Sequence, residues 1–221
     1  NIGDIVWAND SIFKFTVEKI DENNNIISLM SESDGLLKNN KGMHVRGIHK
    51  DIPFLFKKDR ELIELANKHN LAYIGLSFVR DASDIKEAKA LIDQDIKIIS
   101  KVETKAAVKN LIEVLNEVEF ILVDRGDLST EIGIEKIPAY QKFIINKAAF
   151  HNKKVFLATQ FLKNMELNPI PTIPEVIDMY NTMQSGIYGI QMSEETAVGE
   201  YPKECLQMIE NIMEEIESSN I

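Results

Sequence analysis

The sequence predicts an α/β protein built on a parallel sheet, open or closed into a barrel, with a small β segment ahead of it. Three observations carry this reading. Five short apolar runs, Leu71–Val79, Ile96–Ser100, Phe120–Val123, Val155–Ala158 and Gly186–Met192, are separated by stretches of helical periodicity. The residues before them read as strands and turns. Polar residues then gather after the ends of the runs: Ser77, Lys101 and Glu103, Arg125 and Asp127, Thr159 and Gln160, Ser193 to Thr196. Parallel α/β folds bind ligands at the carboxyl ends of their strands, so this is the pattern of a site rather than of a core.

The elements follow in order. Ile5 to Ala8 and Ile12 to Val17 are strand-like, the second alternating apolar and polar. Asp21 to Asn25 is a polar turn, Ile26 to Met30 resumes the strand pattern, and Gly35, Gly42 and Gly47 mark a loop-rich exit. Residues 1–47 therefore form a small sheet with little core of its own, and residues 48–221 form the alternating part. There Asp59 is placed to cap a helix with the stripe Leu62, Ile63, Leu65 and Ala66. Ala106, Val108, Leu111, Ile112 and Leu115 make a second stripe, and Ile209, Ile212, Met213 and Ile216 a third.

Composition narrows the function classes. The chain has 221 residues, 44% hydrophobic and 27% charged, which suits one large domain or one domain with a small appendage. Its 35 acidic residues against 25 basic ones give a net charge of −10, so neither nucleic acid nor an anionic membrane surface is an expected partner. No stretch approaches the roughly 20 apolar residues of a membrane span. The single cysteine, Cys205, cannot pair within the chain and lies on a helical pattern, which favours packing over nucleophilic chemistry and fits a reducing compartment. A cytoplasmic location is expected, or an organelle after loss of a targeting segment. Asn1-Ile2-Gly3-Asp4 has neither an initiator methionine nor a signal-peptide pattern, so the chain reads as processed or as part of a longer one. The histidines His44, His49, His69 and His151 lack metal-ligand spacing and read as surface residues. There is no Gly-Lys-Thr phosphate loop and no Gly-x-Gly-x-x-Gly.

The chemistry concentrates in two segments. Ile99-Ser100-Lys101-Val102-Glu103 ends a strand with Lys101 and Glu103 two apart, hence on one side of it. Such a pair is either a structural ion pair or part of a site. Asp124-Arg125-Gly126-Asp127-Leu128-Ser129 ends the next run with a second carboxylate, and Gly126 leaves backbone amides open to an anion. Two carboxylates beside a lysine and exposed amides suit a divalent cation bridging an oxyanionic substrate. Mg²⁺ favours such a site, with water and substrate oxygens completing its octahedron, and Mn²⁺ is an alternative.

Read in order, these segments resemble the pyruvate kinase family. Its Ile-Ser-Lys-Ile-Glu matches Ile99 to Glu103, and its Ala-Arg-Gly-Asp-Leu-Gly matches Asp124 to Ser129. Ala158-Thr159-Gln160 and Asn168-Pro169-Ile170-Pro171-Thr172 are similar to its Ala-Thr-Gln and Pro-Arg-Pro-Thr segments. Met192 to Ala197 and Gly199-Glu200-Tyr201-Pro202 resemble Leu-Ser-Gly-Glu-Thr-Ala and Gly-Asp-Tyr-Pro. Ser77 to Asp84 fits as well, and the resemblance covers essentially the whole chain. It implies a partial (β/α)8 TIM-type barrel: residues 1–47 as the second half of a β lid domain that re-enters near Lys41-Gly42, and residues 48–221 as the last five βα units. It further implies phosphoryl transfer between phosphoenolpyruvate and ADP, giving pyruvate and ATP, with Mg²⁺ and usually K⁺. Carried over by position, Glu103 and Asp127 hold the metal and Lys101 stabilises the transferring phosphoryl group. Gly126 and Asp127 offer backbone N–H groups to the substrate carboxylate, and Thr159 sits beside the enolate.

Departures from the family pattern fall on the nucleotide side. The lid's basic contact aligns with Ile5, and the following Asp-Asp-Gly is Asn9-Asp10-Ser11. The Gly of Ser-Gly-Glu-Thr is Glu194, and the Arg of Pro-Thr-Arg is Ile173. The family's K⁺ ligands lie on front strands that this sequence does not contain. Five units where a barrel has eight leave two parallel edges to cover, by missing barrel strands or by homo-oligomerisation. Three readings follow: a pyruvate-kinase-type phosphotransferase within a longer chain; a catalytically degenerate relative with an interaction or regulatory role; and a metal-dependent pyruvate aldolase or lyase, which needs only the metal-bound enolate.

Overall fold

The computed structural model describes residues 1–9, 12–39, 41–45 and 52–218. It contains two sheets. The first is antiparallel, in the order β3-β2-β1-β4, from β1 (Ile5–Ala8), β2 (Phe13–Asp21), β3 (Ile26–Ser31) and β4 (Met43–Val45). Val6, Ala8, Phe13 and Val17 are its buried residues, the small core expected of this segment. Gly35 turns at φ +147° directly over the Phe13 ring, where an added Cβ would lie 2.8 Å from the ring edge. The expected boundary between residues 47 and 48 lies outside the described residues, as do Asp10 and Ser11.

The second sheet is parallel and follows chain order: β5 (Tyr73–Leu76), β6 (Lys97–Val102), β7 (Phe120–Asp124), β8 (Lys154–Ala158) and β9 (Gly189–Gln191). Between its strands lie α1 (Lys57–Lys68, ahead of β5), α2 (Ala82–Lys89), α3 (Lys105–Lys109), α4 (Leu111–Glu117), α5 (Arg125–Ile132), α6 (Ile137–Phe150) and α7 (Ile173–Gln184). Two more, α8 (Glu194–Ala197) and α9 (Pro202–Ser218), follow β9. Each strand pairs with the one before it across a helical crossover, which is the winding of a TIM-type barrel, here a partial one. β5 and β9 are shorter than the apolar runs that announce them, whereas β6, β7 and β8 each exceed theirs by one residue.

Side-chain alternation divides the parallel sheet into two faces. Ile98, Val102, Ile121, Val123, Val155 and Leu157 join the core beneath the helices. Leu115 from α4, Ile144 from α6, Met179 from α7 and Cys205 and Ile212 from α9 pack against them. Burial raises the Cys205 thiol pKa, consistent with packing rather than reactivity. Phe120, Leu122 and Asp124 take the opposite face, and strand parity sends Lys97, Ile99 and Lys101 there too. At the lower end of that face the Phe120 ring lies against Tyr73, Phe156 and Tyr188, with Lys97 and Lys154 over it. Tyr73 and Tyr188 remain 43% and 55% exposed.

Capping residues set where the helices begin. Asp59 lies inside α1 rather than ahead of it: Phe56 is the N-cap, and Asp59, the third helical residue, accepts the Phe56 N–H at 2.8 Å. In α1, however, only Ile63 and Ala66 of the expected stripe are buried. Leu62 and Leu65 line an open apolar groove beside β5, together with Phe56, Ile74 and Phe78. Asp81, Thr104 and Asp124 cap α2, α3 and α5 by accepting N–H groups from Ser83, Ala107 and Asp127. Thr172 and Glu175 form a capping box at α7. No helix among the described residues is long and apolar enough to cross a membrane.

Candidate functional site

The carboxyl ends of β6, β7 and β8 bring the candidate residues together. Lys101 is the last inward-facing residue of β6, and Glu103 follows two positions later on the same side. Lys101 Nζ lies 2.9 Å from Glu103 Oε2 and 3.2 Å from Asp124 Oδ2. Glu103 is 0% exposed, and its Oε1 accepts the Phe78 N–H at 2.6 Å. Its Oε2 is engaged by the Lys101 ammonium. Burial raises the Glu103 carboxyl pKa to about 7; Lys101 opposes the rise, while Asp127 and Asp124 add to it. Burial works against the Lys101 ammonium, yet Glu103 and Asp124 outweigh it and raise its pKa.

Asp124 and Asp127 frame the first turn of α5. Asp124, the N-cap, accepts the Asp127 N–H at 3.3 Å and the Thr159 hydroxyl at 3.2 Å, both through Oδ1. Glu103, Asp124 and Asp127 each present a carboxylate oxygen within 4.8 Å of the others'. Three hard oxygen donors from two adjacent βα units, brought within 4.8 Å of one another, fit a divalent cation such as Mg²⁺. Thr159 follows β8, and its Oγ1 accepts the Gly126 N–H at 2.9 Å. Both amides assigned to the substrate carboxylate are thus engaged by neighbouring side chains, Gly126 by Thr159 and Asp127 by Asp124.

The backbone at Thr159 is unusual. Thr159 has φ 69°, Gln160 φ 57° and Leu162 φ 48°, a left-handed run that is costly for a β-branched residue. Arg125 fastens it. Its Nε and Nη2 donate to the Thr159 carbonyl at 3.1 and 2.7 Å, its Nη1 pairs with Asp178 of α7 at 2.7 Å, and its plane lies 3.9 Å from the Phe161 ring centre.

Sequence reasoning missed three residues here. Asp124 was visible only as an acidic residue where the family pattern has alanine. Arg125 was marked by its place at a strand end and by the Ala-Arg-Gly-Asp resemblance, but neither gave it a role. His44, read as a surface residue, is instead 11% exposed in its side chain and lies 2.7 Å from Glu131 Oε1. Glu131 Oε2 also accepts the Lys105 N–H at 3.1 Å, so one carboxylate ties β4 to the starting turn of α3 and to α5. Among the nucleotide-side departures, Ile5 is a half-buried residue of β1 paired with Thr16. Ile173 is an exposed first residue of α7, and Glu194 opens α8 with its carboxylate 3.8 Å from Lys163.

Comparison with known proteins identifies the family. A family model described as the pyruvate kinase barrel domain matches residues 1–206. The pyruvate kinase of Thermococcus litoralis is 35% identical over 213 residues, covering 95% of this chain and 44% of its own length. That of Sporosarcina psychrophila is 36% identical over 216 residues, 96% of this chain and 37% of its own. The Thermotoga maritima pyruvate kinase is 34% identical over 218 residues, 97% and 46%. The chain therefore spans less than half the length of these relatives. With the family model matching nearly all of it, the chain belongs to the pyruvate kinase family.

Proposed function

We propose that the chain is the metal-and-enolate part of a Mg²⁺-dependent phosphotransferase acting on phosphoenolpyruvate or pyruvate with ADP or ATP. The observation that carries this reading is the convergence of Lys101, Glu103 and Asp127, with Thr159 beside them, on successive strand ends. Glu103 and Asp127 are the residues to hold Mg²⁺ or Mn²⁺. When bound, the cation supplies positive charge beside the carbonyl and phosphoryl oxygens of the substrate. Lys101 is the residue to bring a second positive charge to the phosphoryl group as it moves. The Gly126 and Asp127 amides, at the start of α5, receive the substrate carboxylate in exchange for the oxygens of Thr159 and Asp124. Thr159, whose carbonyl is held by Arg125, is the residue to sit beside the enolate.

Phosphoryl transfer to ADP asks for more: a cation at the nucleotide and groups from further barrel strands, including the monovalent-cation ligands of the family. Ile5, uncharged on the nucleotide side, favours a second reading in which the chain is a catalytically degenerate relative with a regulatory role. We expect the isolated chain to bind Mn²⁺ and pyruvate or oxalate, and to form no ATP. Mn²⁺ titration followed by paramagnetic relaxation tests this in wild type, Glu103→Gln and Asp127→Asn. Equal binding by all three would remove the metal site.

A further inference from the structure

Lys101 is not left open to an incoming anion. Its ammonium is shared by two carboxylates, 2.9 Å from Glu103 Oε2 and 3.2 Å from Asp124 Oδ2. Asp124 is fixed in that pose. Its Oδ1 is used twice, by the Asp127 N–H and the Thr159 hydroxyl, which leaves Oδ2 facing Lys101. Capping α5 needs only Oδ1, so the contact with Lys101 goes beyond what the helix requires. Asp124 is 6% exposed and Glu103 0%, and water screens the pairing little. Two carboxylates hold the one ammonium, and Asp127 places a third carboxylate within 4.8 Å of theirs. A substrate anion entering this site meets repulsion, together with a lysine whose charge is already taken.

We propose that Asp124 is a positioning residue that sequesters Lys101 against Glu103, so that Lys101 turns to an anionic substrate only when a divalent cation occupies the carboxylates. The inference rests on the cation reading above and adds an order to it: the anion binds after the cation. Asp124 makes the lysine conditional. Without its charge, Lys101 has one carboxylate partner instead of two and answers an anion directly.

The probe is oxalate, a planar dianion resembling the enolate's two oxygens, measured by calorimetry on the whole chain with EDTA or with Mn²⁺. Asp124→Asn and Asp124→Ser both keep an oxygen to cap α5 while removing the charge. In EDTA, each is expected to bind oxalate about tenfold more tightly than wild type, the scale set by one charge a few ångströms away in a sheltered site. Lys101→Met added to either variant should erase the gain. Oxalate binding in EDTA that is unchanged by both substitutions, or a gain that survives Lys101→Met, overturns the proposal. The unaltered chain gives an independent reading: the Lys101 ε-methylene NMR signal should move on adding Mg²⁺ with no anion present, and a stationary signal also overturns it. The two levels fail separately. Mn²⁺ binding indifferent to Glu103→Gln and Asp127→Asn sinks the cation reading itself. Binding that those two abolish, with oxalate unaffected by either Asp124 substitution, sinks only the role of Asp124.

Discussion

Glu103 should make the metal-free chain less stable as pH rises, the reverse of an ordinary paired carboxylate. Its pKa stands near 7 in the folded chain against an ordinary 4.5, because burial disfavours the charge more than Lys101 restores it. Between those two values the folded chain keeps a proton that the unfolded chain has released. The folded state thus binds more protons, and stability falls as pH climbs through the window, then levels off above it. At 1.36 kcal/mol per pKa unit the total effect is about 3 kcal/mol. Glu103→Gln removes the titration, while its amide oxygen can still accept the Phe78 N–H. Urea unfolding in EDTA at pH 5, 6, 7 and 8 should show the variant gaining on wild type by most of that amount. Mg²⁺ should then recover stability for wild type at pH 8 and not for the variant. Parallel pH profiles for the two proteins would refute the argument, as would a wild type that gains on the variant with rising pH.

Other outcomes follow from the same contacts. Arg125→Met removes both donors to the Thr159 carbonyl and should cost about 2–4 kcal/mol in urea unfolding. Asp178→Asn should cost under about 1 kcal/mol, since Asp178 is 44% exposed and water replaces the pair. Glu131→Ala takes away the partner of His44 and of the Lys105 amide; hydrogen exchange at Lys105 should quicken about tenfold, the kinetic equivalent of one ordinary hydrogen bond, while β7 amides keep their protection. We expect the isolated chain to associate, because among the described residues β5 and β9 each have a strand on one side only and the groove beside β5 is apolar. Sedimentation velocity showing a single monomer across a wide concentration range would count against this.

The strand runs and strand ends were legible in the sequence because both depend on local alternation. Lys101 and Glu103 could be placed on one side of a strand from spacing alone. Facts that depend on distant partners were not legible. His44 meets Glu131 across 87 positions, and nothing near His44 in sequence announces that contact. Asp124 sits at the end of an apolar run, where a polar residue reads equally as cap or ligand; only its two differently engaged oxygens distinguish the roles. Leu62 and Leu65 show the converse error, since helical periodicity marks an apolar face without saying whether anything covers it.

The left-handed backbone at Thr159 has a consequence for anyone selecting variants of this chain. Glycine occupies φ 69° without steric cost, and asparagine nearly so, whereas threonine there forfeits about 1–3 kcal/mol. A screen for heat resistance alone would weigh Thr159→Gly only by the strain it relieves against the two hydrogen bonds, to Gly126 and Asp124, that it removes. Under the proposed function, a screen for turnover would hold threonine at this position. At this one codon the two selections weigh different things, so its fate in a mixed library reports which pressure is acting.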